Sequence, residues 1–236
     1  MTANKNIGPG NSRATCKLLF EKQGYNYLGL FILLAIVVFA NNWSGFYNGA
    51  LWGCSTGFWF WLSIGVVIAH QFAVWFVWRT ELYLKLWSRW FGKRAFPIWA
   101  VLFMILFIPR MLLGFFLGYA NRGTLDINPI LGWVLAVIIL VPAVYTFYSI
   151  FKYFTFKRAL GIDHFDPASH ELGLVRGGIY RYTSNAMYFF AIMMVWVPVL
   201  IFGSKAALIS ALFNHAYVWV HYFTVELPDM KRIYSR

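Results

Sequence analysis

Residues 173–188 read Gly173-Leu174-Val175-Arg176-Gly177-Gly178-Ile179-Tyr180-Arg181-Tyr182-Thr183-Ser184-Asn185-Ala186-Met187-Tyr188. The stretch is glycine-rich, aromatic and basic, and it runs straight into a hydrophobic block. Further on, the last hydrophobic block ends in Val225-Glu226-Leu227-Pro228-Asp229-Met230. Upstream lie long apolar runs joined by short polar segments. The two quoted segments therefore mark where an apolar scaffold gives way to a polar face.

Composition agrees with that division. The 236 residues are 61% hydrophobic, 21% aromatic and 12% charged. A soluble domain carries roughly twice that charge fraction. Apolar blocks lie at about 26–41, 57–78, 96–120, 129–151, 187–203 and 205–225, and several reach the roughly 20 residues that cross a bilayer. They are continuous, unlike the short alternating strands of an outer-membrane barrel. The expected fold is all-α: a polytopic helical membrane protein with about six transmembrane helices. Only Gly203-Ser204-Lys205 separates the last two blocks, which predicts a C-terminal helical hairpin. Three parts follow: a tail (1–25), a four-helix scaffold (26–151), and a loop plus hairpin (152–236) that carries the site. The polar N-terminus does not read as a signal peptide. Cys16 and Cys54 flank the first block and cannot pair within the chain. No cysteine or histidine spacing suggests a metal.

The formal net charge of +12 would suggest nucleic acid in a soluble protein. In this chain it reads as loops facing anionic lipid head groups, with no nucleic-acid partner. The N-terminal tail, segment 79–94, segment 152–186 and the C-terminal tail hold every Lys and Arg except Arg110, Arg122 and Lys205. The positive-inside rule then puts both termini in the cytoplasm, at an inner membrane or the endoplasmic reticulum. It also brings Tyr188 and Glu226 to similar depth on neighbouring helices.

Arg110 follows Pro109 within a span. A charge there is either functional, binding an anionic group of a substrate, or a snorkelling arginine at a kink; the two readings stand level. Glu226 closes the last block, where a poorly solvated carboxylate would attract a cation. Tyr222 and Trp219 share its helical face, and α-helical spacing turns His221 away from it. His70 and His215 read as structural. Asp163-His164-Phe165-Asp166 and His170-Glu171 read first as a solvated loop and second as a source of a general base. Gly173, Gly177 and Gly178 permit close backbone approach to a ligand. Tyr180, Tyr182 and Tyr188 serve either as interfacial anchors or as ring faces for a cation or an adenine.

Taken together, residues 177–188, a short hairpin and Glu226-Leu227-Pro228-Asp229-Met230 resemble the C-terminal half of the integral-membrane methyltransferases, over about residues 160–236 of this chain. These include isoprenylcysteine carboxyl methyltransferases and phospholipid N-methyltransferases. Where that pattern has Arg-His-Pro, this chain has Ser184-Asn185-Ala186. The resemblance implies S-adenosyl-L-methionine as methyl donor, held by Leu174, Val175, Tyr180, Arg181, Tyr182, Asn185, Tyr188 and Glu226. It implies a lipid or lipid-like acceptor, first among them the amine head group of a phospholipid. Glu226 is then the first candidate to accept the amine proton, with His221 and His164 behind it. Isoprenylcysteine or small-molecule methylation, a nicotinamide-dependent sterol-type reductase and a non-catalytic scaffold remain open alternatives.

Overall fold

A computed structural model describes residues 12–173 and 175–234. It is all-helical apart from a two-residue strand pair, Ala50–Leu51 with Cys54–Ser55. Helix α1 (Ser12–Leu19) leads into α2 (Gln23–Ala40). Then come α3 (Thr56–Leu84), α4 (Ala95–Ala120) and α5 (Pro129–Ser149). The hairpin follows, first as a broken segment, Ala186–Phe202, then as α6 (Lys205–His221). Helix α7 (Leu227–Tyr234) ends the described chain. Four helical stretches are long and apolar enough to cross a membrane: Thr15–Ala40, Thr56–Leu84, Leu86–Ala120 and Pro129–Phe154. Of the two hairpin arms, anticipated as full spans, the first is a shorter apolar helix, and the second continues from α6 through residues 222–226 into α7. The first arm is interrupted because α-turns at Ala186–Phe189 and Val197–Phe202 flank a 3-10 stretch, Ala191–Trp196.

Local signals set the helix ends. Ser55 caps α3 by accepting from the Phe58 amide (3.2 Å). Asn128 caps α5 with Pro129 at the first turn, and Ser204 caps α6. Each side chain satisfies an amide that the helix leaves without a partner.

Helix α6 is central, packed against α2, α3, α4 and the broken segment, while α3 lies along α4. The outward faces are apolar. On α5, Ile130, Val137, Ile138, Val141 and Val144 are exposed, and on α2 so are Phe31, Ile36 and Phe39. Such faces suit a hydrocarbon surround. Polar contacts lie between helices: Ser63 with Ser210 (2.8 Å), Asn26 with Thr224 (2.8 Å), Tyr217 with Asn26 (3.2 Å). The chain is thus a polytopic α-helical membrane protein.

The connecting segments gather at two ends. At one, the Asn121 side chain donates to the carbonyls of Gly45, Phe46 and Asn48, and accepts from Ser204 and the Ala206 amide. At the other, Arg79 ties three segments together. Its Nε donates to Asp229 (3.2 Å), Nη1 to the carbonyls of Leu19 and Glu21, and Nη2 to that of Thr224. Arg79 was grouped with loop charges, but α3 runs on to Leu84 and buries it. Arg232 also reaches this second end, where it pairs with Glu21 (2.6 Å).

Candidate functional site

The site grows from the end of α6. Beyond His221 the helix widens into a π turn, Tyr222–Glu226. There the Glu226 carboxylate accepts a hydrogen bond from the Tyr188 hydroxyl of the other hairpin arm. The Tyr188 ring also packs on Tyr222 (4.8 Å between centroids) and Trp219 (5.6 Å). Two residues 38 apart in sequence are joined because the hairpin folds its arms side by side. Burial raises the Glu226 carboxyl to about 7, with the Tyr188 hydrogen bond opposing the rise.

Tyr188 is also part of the wall of a cavity of about 280 Å³ between α3, α4, α5 and the hairpin. Its lining is mainly apolar, including Phe103, Phe107, Met111, Ile150 and Leu160, and its polar members include His70, Gln71, Arg110 and His221. A mostly apolar pocket with a few convergent polar groups is the usual form of a small-molecule site. His221 lines this cavity with Tyr188, whereas Glu226 is not among the lining residues. Both His221 ring nitrogens are buried without a hydrogen-bond partner.

His70, read as structural, also lines the cavity, and its Nδ1 contacts Arg110 Nη1 (2.8 Å). Neither local sequence pattern nor spacing could reveal that pair, since its members lie 40 residues apart on different helices. Arg110 Nε and Nη2 both donate to Asn214 Oδ1 (2.8 and 2.5 Å).

The loop before the hairpin, first read as solvated, is packed at its start, while Asp166 and Glu171 are exposed. Asp163 and His164 are buried. Gly161, at φ 82, sits where a Cβ would meet the Trp78 indole. His164 stacks on Trp78 (4.3 Å), which lines the cavity, so His164 stands behind that wall. Burial lowers its pKa to about 3, so it is neutral at pH 7. Arg158 donates to the Gly173 carbonyl (3.0 Å) and meets the Tyr234 hydroxyl (2.7 Å), closing the loop onto α7.

Gly177 and Gly178 do permit close approach, but to protein. Added Cβ atoms would collide with Tyr153 and with the Ser149 hydroxyl. That hydroxyl accepts from the Ile179 amide (3.1 Å). The turn thereby seats Tyr180, which stacks on Phe154 (5.0 Å) with its hydroxyl buried and unpartnered. Val175 packs against the same cluster. Asn185 is half-buried at the start of the short helix Ala186–Phe189. Arg181 and Tyr182 are exposed, Tyr182 at 82%, and are not brought to the cavity. Leu174 lies outside the described residues. Among the described residues, no cluster of three or more His, Cys, Asp or Glu side chains could hold a metal.

No curated protein and no solved structure matches the chain. Residues 129–236, which span α5, the following loop, the hairpin and α7, match the model of the phospholipid methyltransferase family, a similarity consistent with an integral-membrane methyltransferase.

Proposed function

We propose that the protein transfers a methyl group from S-adenosyl-L-methionine to the amine head group of a membrane phospholipid. The observation that carries this reading is the Tyr188–Glu226 hydrogen bond at the wall of an apolar cavity, inside the matched segment. The donor set suits the cofactor. A carboxylate beside the rings of Tyr188, Tyr222 and Trp219 favours a cation, and the Tyr180 hydroxyl is a free polar partner nearby. Val175, Tyr180, Asn185, Tyr188 and Glu226 are the residues that would hold it. Arg181 and Tyr182 would take part only from the surface.

The bound cofactor supplies an electrophilic methyl on a sulfonium sulfur. The amine must arrive unprotonated, and Glu226 takes that proton. A carboxyl near 7 is well matched to the task, because it exchanges protons readily at neutral pH. Tyr188 fixes which way the carboxylate faces. The apolar walls exclude water and hold the amine in line with the transferring carbon, so positioning does most of the work. His221, with both nitrogens unpartnered, is the second proton acceptor; His164 is screened by Trp78. In this reading the end that carries Arg79, α1 and α7 faces the cytoplasm, where the soluble cofactor enters.

Titration calorimetry of the detergent-purified protein with S-adenosyl-L-methionine tests the reading. Binding to the wild type and its loss in Glu226→Gln and Tyr188→Ala are expected. A folded wild type that binds none would overturn it.

A further inference from the structure

Arg110 is 5% exposed, and among the described residues it forms no ion pair. Its neighbours are neutral: Asn214 takes two of its N–H groups and His70 Nδ1 a third. A guanidinium can only donate, so His70 Nδ1 accepts and the ring carries its proton on Nε2. That Nε2 is buried without a partner, as is the Gln71 amide nitrogen. Arg110, His70 and Gln71 all line the cavity. One side of an apolar pocket thus presents a positive charge that no carboxylate pairs among the described residues, and two unused donors. A buried charge and buried donors in this state are costly unless a ligand completes them.

The same cavity adjoins the bilayer face. A groove lined by Ala100, Val101, Ile105 and Ile108 on α4 shares Met104, Phe156 and Leu160 with it. Val101 and Ile105 are 62% and 61% exposed, on the side where lipid chains lie. This continuity favours a ligand that arrives sideways from the membrane over one that arrives from water.

We infer that Arg110, His70 and Gln71 form an anion site for the phosphate of an amphiphilic acceptor whose hydrocarbon chain lies in the α4 groove. The site deepens the proposed function and rests on it for the role of the amine. With the phosphate held by Arg110, an amine on the same head group lies in the cavity that Tyr188, the hydrogen-bond partner of Glu226, also lines. The anion site therefore selects acceptors that carry both groups.

Asn214→Asp tests this with almost no change of shape. It places a carboxylate where the amide oxygen already accepts from Arg110, and so neutralises the charge in place. The probes are lysophosphatidylethanolamine and an alkylamine of equal chain length, titrated into the full chain in a neutral detergent. Wild type should bind the lysolipid at least tenfold more tightly. Asn214→Asp and Arg110→Gln should each remove that margin and leave alkylamine binding within twofold. On the wild type alone, a fatty acid should compete with the lysolipid far better than the matching fatty alcohol. Equal competition by the alcohol overturns the inference. So does unchanged lysolipid binding in Asn214→Asp, or a loss of S-adenosylhomocysteine binding in its place. Lysolipid binding without methyl transfer would keep the anion site and sink the proposed function. Methyl transfer to phospholipid untouched by Asn214→Asp would do the reverse.

Discussion

Arg79 and Arg110 are buried on neighbouring helices, at 1% and 5% exposure, and their surroundings differ in one respect. Arg79 meets the carboxylate of Asp229 and three backbone carbonyls, so its charge and most of its donors are satisfied by the chain itself. Tyr83 also donates to Asp229 (2.9 Å), and Arg232 ion-pairs with Glu21 (2.6 Å) close by. Arg110 meets only an amide and an imidazole, beside an open cavity. A charge completed by protein holds elements together, whereas a charge completed by neutral groups beside a cavity is available to a ligand. The first arginine locks the N- and C-terminal segments to α3, and the second faces the site.

Mutation should separate the two. Asp229→Ala strands the Arg79 charge in the interior and should cost about 3–5 kcal/mol of stability, read by denaturant unfolding in detergent. Asn214→Ala at Arg110 should cost about 1–3 kcal/mol, because that charge already lives without a carboxylate. Equal losses would break the comparison.

Glu226→Gln should lower methyl transfer about 100-fold or more, the usual scale for removing a general base. Its pH profile sharpens the claim. The Glu226 carboxyl is raised in the fold to about 7, so wild-type activity should climb as pH rises through that value, and the variant should lose this limb. The stability sign is opposite. A raised carboxyl favours the folded protein below its unfolded value, and this contribution is lost as pH rises through about 7. The variant should therefore hold its stability better than wild type at pH 8, and an unchanged pH dependence in both assays would remove Glu226 from the mechanism.

Tyr188→Phe keeps the ring stack and deletes one hydrogen bond. Roughly tenfold slower transfer is expected, equivalent to about 1.4 kcal/mol. A wild-type rate would show that Glu226 needs no orienting partner.

Part of the site was legible in sequence. Tyr188, Glu226, Tyr222 and Trp219 could be brought together because the hairpin and helical spacing are local properties. Gly177 and Gly178 are places of close approach, to Tyr153 and Ser149 upstream of the motif, whereas a Cβ at Gly173 would meet open space. His70 and Asn214 carried no local signal, and the charge at Arg79 looked like any basic residue at a membrane edge. The π turn before Glu226 carried no signal in the apolar pattern of the last block.

The sequence by itself determined the membrane class, the long apolar helices and the hairpin. These depend on apolar run length and turn residues, both written along the chain. Only the tertiary structure decided which buried arginine is neutralised and which faces a cavity. Arg79 and Asp229 are 150 residues apart, and Arg110 and Asn214 are 104 apart. Electrostatic state depends on neighbours in space, and helix packing alone assigns those.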